Sequence, residues 1–218
     1  MRTSVPLIVL FLLASLLPSP SPVMAQDLAS IQLPPPVTSG GMPLMEALSE
    51  RRTSRAFRPD SLPLQTLADL LWAAFGVNRP ESGKRTAPSA VNWQETDIYV
   101  VMERGTFVYD ARENRLGPVR AGDLRALTGT QQFVADAPVT LVLVTDMSRI
   151  DRPSREEKNF YSAIDAGFVS QNIYLFCASA GLATGVRALV DRPTLHDAMG
   201  LADHQKIVVA QSVGYPAG

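Results

Sequence analysis

The run Val139-Thr-Leu-Val-Leu-Val144 constrains this chain most: six residues carry no charge, and four of them are β-branched. A segment so apolar and so short is a strand buried at the centre of a sheet, because β-branched side chains favour extended backbone and a helix needs more length. The preceding residues supply its neighbours. Asp97 to Met102 reads as a strand, Arg104-Gly105 as a hairpin turn into Phe107 to Asp110, and Arg112 to Asn114 as a further turn, so this stretch is an antiparallel meander. Helices surround it in sequence. Pro43 opens a short helix with an apolar stripe of Leu44, Met45 and Leu48. Ser61 and Pro63 open a second, which buries Leu64, Leu67, Leu71 and Phe75 and stops at Gly76. Gly122 to Phe133 holds helical fragments, and a long helix runs from about Arg155 to Ala180 with Gly181 as its cap. A short segment over Gly185 to Val190, a helix around Thr194 to Met199 and a strand over Lys206 to Val213 close the chain. No repeat and no second apolar core emerges, which predicts one α+β domain over residues 43–218.

The first 42 residues read differently. Arg2, the apolar run Val5 to Leu17 and the stretch ending Val23-Met24-Ala25-Gln26 form the charged, apolar and cleavage regions of an export signal. Pro6 and Pro18 bound an apolar core shorter than the roughly 20 residues a membrane span needs, so residues 1–25 are expected to be cleaved without leaving a membrane anchor. There is no twin arginine and no cysteine near that point to carry lipid, so the expected destination is the periplasm. Residues 26–42, with Pro34-Pro35-Pro36 and Ser39-Gly40-Gly41, read as a linker or arm, since a polyproline run cannot donate backbone hydrogen bonds.

Composition removes several classes of function. A formal net charge of −1, with 20 basic and 21 acidic residues, gives no general attraction to nucleic acid or to anionic lipid. The single cysteine, Cys177, excludes an internal disulfide and sits in the apolar run Ile173 to Ala178, where a buried, inert thiol is expected. His196 and His204 stand in polar surroundings far from any metal-ligand spacing. No phosphate-binding glycine loop, nucleophile elbow or metal-binding set is present, so hydrolase and metalloenzyme readings fall away.

Three segments remain that carry chemistry. Arg51, Arg52 and Arg55 lie within five positions, with Thr53 and Ser54 between them. They read either as a phosphate cradle, because guanidinium forks and hydroxyls match phosphate oxygens, or as the solvated basic end of a helix. Asn92 ends the Pro/Ser-rich part of the loop Val77 to Gln94. Its amide has both a donor and an acceptor for the edge of a heterocycle, or serves as an ordinary turn residue. Gly181-Leu-Ala-Thr-Gly185-Val-Arg187 offers main chain that a ligand can approach beside a cation, or a helix stop before a strand.

Taken together, Leu48-Ser-Glu-Arg-Arg-Thr-Ser-Arg-Ala-Phe57, Ala87-Pro-Ser-Ala-Val-Asn92, Gly181-Leu-Ala-Thr-Gly185 and Val213-Gly-Tyr-Pro216 resemble the nitroreductase family in order and spacing, over about residues 43 to 216. Leu62 to Asn78 and Asp165-Ala-Gly-Phe-Val-Ser-Gln-Asn172 look most like the branch with thiazoline/oxazoline dehydrogenases. The resemblance implies an α+β homodimer, its central and mostly antiparallel sheet flanked by helices, with FMN bound at the subunit interface. It further implies that Arg51, Arg52 and Thr53 contact the phosphate and ribityl chain, that Arg55 is the cation near the N1/O2 edge of the flavin, that Asn92 faces the pyrimidine ring, and that Arg187, Ala188 and Leu189 pass near N5. The family often has Lys or Arg just after Gly-Tyr-Pro; here the chain reads Pro216-Ala-Gly218, which leaves the phosphate to the N-terminal arginines or to Arg187.

The function this implies is two-electron, ping-pong transfer from a small-molecule donor, with NAD(P)H as one candidate, to a nitroaromatic, quinone or similar acceptor. Export argues against an abundant nicotinamide pool. Two other readings stand beside it: an azoline-type dehydrogenase or oxidase, and a flavin-binding or interaction protein without turnover, docking a partner through Pro34 to Pro36. Tyr161 and Asp165, both on the long helix, are candidates for a proton donor or for packing and capping roles.

Overall fold

The computed structural model describes residues 28–152 and 154–218; the expected leader over residues 1–25 lies outside them. In chain order the elements are β1 (Ile31–Gln32), α1 (Leu44–Glu50), α2 (Leu64–Phe75), β2 (Val77–Arg79), β3 (Lys84–Arg85), β4 (Thr96–Met102), β5 (Gly105–Asp110), β6 (Arg115–Ala121), β7 (Val139–Asp146), α3 (Arg155–Ser179), β8 (Ala183–Arg187), α4 (Arg192–Met199) and β9 (Gln205–Gly214). Seven strands form one sheet in the order β1-β6-β5-β4-β7-β9-β8, and every pairing in it is antiparallel. The fold is α+β, as expected.

β7 occupies the middle of this sheet between β4 and β9, and its side chains from Val139 to Thr145 are buried. The two-residue period of a strand divides them between two cores. Val139, Leu141 and Leu143 join Leu67, Leu71 and Phe75 of α2 and Val169 and Ile173 of α3; Val142 and Val144 join Ile207, Leu195 and Met199 on the opposite face. Helices therefore cover both faces. At roughly 1.5–3 kcal/mol for each large aliphatic side chain removed from water, this double burial is the main force holding the sheet.

Local signals account for the helix ends. Ser154 accepts the Glu157 N–H at 3.0 Å and donates to its carboxylate at 2.8 Å, a reciprocal cap that opens α3. Gly181 follows with φ +66°, and the Leu182 N–H returns to the Cys177 carbonyl, closing the helix where the glycine was expected. Asp191 caps α4 through the Thr194 N–H.

Three expectations change. Leu44, Met45 and Leu48 of α1, and Leu64 of α2, are exposed rather than packed. The segment Val77 to Gln94 is not irregular throughout: β2 and β3 form a small hairpin, and Ala90–Asn92 makes one 3-10 turn. β6 continues the meander beyond the turn at Arg112 to Asn114. Pro118 lies within it, where its missing N–H is tolerated because β1 pairs only with Leu116 and Arg115 and leaves the rest of that edge open. The proline-rich segment, as far as it is described, lies along the domain: Leu33 is buried, the Val37 N–H reaches Asp69, and the Met42 N–H reaches Ser179.

Candidate functional site

The arginine segment follows α1 directly and is laid between β8 and the chain end. The Ser54 N–H donates to the Thr184 carbonyl at 2.8 Å, the Arg58 N–H to the Tyr215 carbonyl at 3.0 Å, and Phe57 bridges to Pro216. Two glycines allow this approach. A Cβ on Gly185 would stand 2.7 Å from the Ser54 carbonyl oxygen, and one on Gly214 would stand 2.6 Å from the Pro138 ring. Gly185 and Gly214 thus bring the arginine segment against two motifs that lie more than a hundred residues beyond it in sequence.

Tyr174 of α3 organises the segment from below. Its hydroxyl lies 2.9 Å from Thr53 Oγ1 and accepts the Val186 N–H at 3.0 Å, while its ring carries the Arg51 guanidinium 5.3 Å from the centroid. Among the described residues, none of Arg51, Arg52 and Arg55 forms an ion pair with a carboxylate. Arg52, Ser54 and Tyr174 line a cavity of about 480 Å³ that also touches Pro216 and Ala217; Glu46 and Glu50 share its wall without pairing to an arginine. Cations held close together without a counter-charge, beside the Thr53 and Ser54 hydroxyls, fit a phosphate group.

Asn92 lies in a turn with unusual backbone. Val91, Asn92 and Gln94 all have positive φ, at +52°, +60° and +50°, and a β-branched residue there is strained. The turn is held by the Ala90 N–H donating to Asp165 Oδ2 at 2.8 Å and by the Gln94 N–H donating to Ser89. The Asn92 side chain is exposed and accepts one bond from Gln94 Nε2 at 3.1 Å, leaving its amide N–H groups open. Asp165 and Tyr174 are nine positions apart on α3, about 13 Å along its axis. One helix therefore supports both the arginine segment and the Asn92 turn.

A model of the nitroreductase family matches residues 48–215, which spans all four of these segments. The chain belongs to the nitroreductase family. A nitroreductase-type protein of Methanocaldococcus jannaschii is 32% identical over 168 residues, covering 72% of this chain and 83% of that one. A solved nitroreductase-type structure from Ralstonia eutropha superposes with a TM-score of 0.84 at 40% identity, over 92% of this chain and 95% of that one. A chain of the Escherichia coli microcin synthetase complex shares the fold at 16% identity, with a TM-score of 0.67 over 94% of this chain and 85% of that one.

Within this nitroreductase fold, the structure brings Arg51, Arg52, Thr53 and Arg55 to one edge, and leaves Ala188 and Leu189 exposed just past the end of β8. Arg187 differs from these in being buried. Its side chain is buried and donates to the Thr128 carbonyl at 3.0 Å, to Thr128 Oγ1 at 2.7 Å and to Ser212 Oγ at 2.8 Å. Burial lowers its pKa to about 10. A guanidinium so engaged braces the 128 turn against β9. Cys177 is fully buried and burial pushes its thiol up to about 12, as an inert core cysteine should be.

Asp165 caps the Asn92 turn, and its neighbour is a residue the sequence reading missed. Glu95 is fully buried, and no protein donor reaches either carboxylate oxygen. Burial raises its pKa to about 7, opposed by the residue's own backbone N–H and reinforced by the charge of Asp165, with Arg149 acting last and in the lowering sense. Glu95 is therefore held neutral below about pH 7 by its burial. Tyr174 was also missed. A tyrosine in an otherwise buried helical stretch was the available signal, since a buried phenol must find a partner.

Proposed function

We propose that this nitroreductase-family chain is an FMN-dependent oxidoreductase that takes two electrons from a small-molecule donor and passes them to a nitroaromatic, quinone or similar acceptor. The observation that carries the reading is the set of uncompensated guanidiniums at Arg51, Arg52 and Arg55, fixed beside Thr53 by Tyr174, β8 and the chain end. Arg51, Arg52 and Thr53 would hold the phosphate and ribityl oxygens. Arg55 would face the N1/O2 edge, where a cation stabilises developing negative charge and raises the potential. Asn92 presents an open amide for the pyrimidine edge, held in place by Asp165. The main chain at Ala188 and Leu189 would pass near N5. When bound, FMN supplies the exchange of a hydride equivalent, which protein side chains do not perform.

Association of two copies is part of the proposal. Phe160, Ile164 and Phe168 recur every four residues on α3 and are exposed, as are Leu44, Met45 and Leu48 of α1. Side chains at that spacing share one helix face, and apolar faces of this kind are covered by self-association. Export to the periplasm rests on the leader sequence, and it makes a membrane quinol a better-placed donor than a nicotinamide.

The test is purification of the exported protein as a yellow dimer with one FMN per chain. Arg51→Ala and Arg52→Ala should each weaken FMN binding, because a charge-assisted hydrogen bond is worth roughly 1.5–3 kcal/mol, or tenfold to over a hundredfold in affinity. Colourless protein that takes up no FMN would refute the proposal. Stopped-flow reduction by NADH, NADPH and a quinol identifies the donor, with slow reduction by the nicotinamides expected. Oxygen uptake driven by an azoline-forming peptide would move the assignment to the azoline-type branch.

A further inference from the structure

A second concentration of positive charge lies away from the arginine segment, at the opposite end of α3. The first turns of α3 bring Arg155 and Lys158, the start of α4 brings Arg192, and the start of β9 brings Lys206 to a cavity of about 620 Å³. The chain as a whole carries a net charge of −1, so composition does not account for this local excess.

What holds these cations is informative. Lys158 Nζ donates to the Met147 carbonyl at 2.9 Å and Lys206 Nζ to Asn159 Oδ1 at 2.5 Å. Arg192 donates from Nε and Nη2 to the carbonyls of Ile207 and Val208, at 3.0 and 2.8 Å. All of these acceptors are uncharged. They fix the side chains and leave the charge uncompensated. Elsewhere the fold handles arginine differently: Arg125 and Arg149 meet Asp123 and Asp97 at 2.8 Å. Among the described residues, Arg155, Lys158, Arg192 and Lys206 form no ion pair. The two acids on the wall do not supply the balance, since both Asp197 and Asp203 are exposed and Asp197 turns to His196. Burial and the repulsion of Arg155 and Arg192 together hold Lys206 below its ordinary pKa, the response of an ammonium lacking a counter-charge.

We infer that this cavity between the starts of α3, α4 and β9 is a binding site for a small organic anion carrying two or more oxyanion charges. Ammonium and guanidinium groups from three separate elements converge on a volume large enough for such a molecule, and Met147, Pro193 and Ile207 give its carbon skeleton an apolar wall. Phosphate esters and polycarboxylates share this chemistry. The site is separate from the arginine segment, so it stands whether or not that segment holds FMN.

The experiment is calorimetric titration of the protein, with and without FMN, using glycerol phosphate and citrate as probes at matched low ionic strength with chloride as control. Submillimolar binding of at least one probe is expected in both forms, and which of the two binds identifies the source. Arg155→Gln combined with Lys206→Gln should weaken that binding at least tenfold. Lys84→Gln should leave it unchanged, because that exposed residue on β3 belongs to neither cluster. A folded double variant that binds as tightly as wild type, or wild-type binding no stronger than chloride, would overturn the assignment. If the double variant fails to fold, Lys206→Gln alone must weaken binding at least threefold, and no change would overturn it equally.

Discussion

Glu95→Gln tests whether the buried Glu95 carboxyl near the Asn92 turn is held neutral. In the folded chain burial and Asp165 raise the Glu95 pKa from 4.5 to about 7, so the native state binds this proton more tightly than the unfolded chain does. The sign follows from linkage: stability falls with pH wherever the native state holds the extra proton. The contribution is complete below about pH 4.5, declines as pH rises, and is lost once Glu95 ionises near pH 7. At 1.36 kcal/mol per pH unit the full effect is about 3 kcal/mol. Glutamine keeps the shape and cannot ionise. The variant should therefore lose most of the decline between pH 5 and 7.5 and be more stable than wild type at pH 8, by up to about 3 kcal/mol. Urea denaturation at pH 5, 6, 7 and 8 measures this directly. Parallel pH profiles for the two proteins, or a variant that is less stable at pH 8, would refute the raised pKa of Glu95.

The remaining predictions address the scaffold. Gly185→Ala places a Cβ against the Ser54 carbonyl, so it should lift the arginine segment and cost about 1–3 kcal/mol, read as a lowered Tm together with weakened FMN uptake. Arg187→Met removes three buried hydrogen bonds and leaves the Thr128 carbonyl without its donor, so it should destabilise by about 3 kcal/mol in urea, whereas a phosphate ligand would show its main loss in FMN affinity. Cys177 should resist thiol reagents until denaturant unfolds the chain, and rapid labelling of native protein would contradict its burial.

Much of the fold was legible because its signals are local. The charge-free, β-branched run at Val139 to Val144 is the central strand, Gly181 does end α3, and the hairpin at Arg104-Gly105 joins β4 to β5. The candidate arginines stood out for a similar reason: three cations within five residues form a pattern in one dimension. Glu95 and Tyr174 had no such pattern. Their importance depends on what lies across from them, Asp165 for one and Thr53 with Arg51 for the other, and those partners are between 70 and 123 positions away.

Arg187 shows the limit most clearly. In sequence it is a cation after a glycine-rich turn, indistinguishable from Arg52 as a phosphate donor. Tertiary structure alone sends its side chain inward to Thr128 and Ser212, while Arg52 stays at the surface. The exposed apolar faces of α1 and α3 make the same point in reverse, because periodicity declares that a helix has an apolar side and not what covers it. The sequence by itself determined where the long helices and the central strands run and which cations are close along the chain. Only the tertiary structure decided which of those groups meet a partner, since burial and pairing arise from contacts between residues that local propensity cannot see.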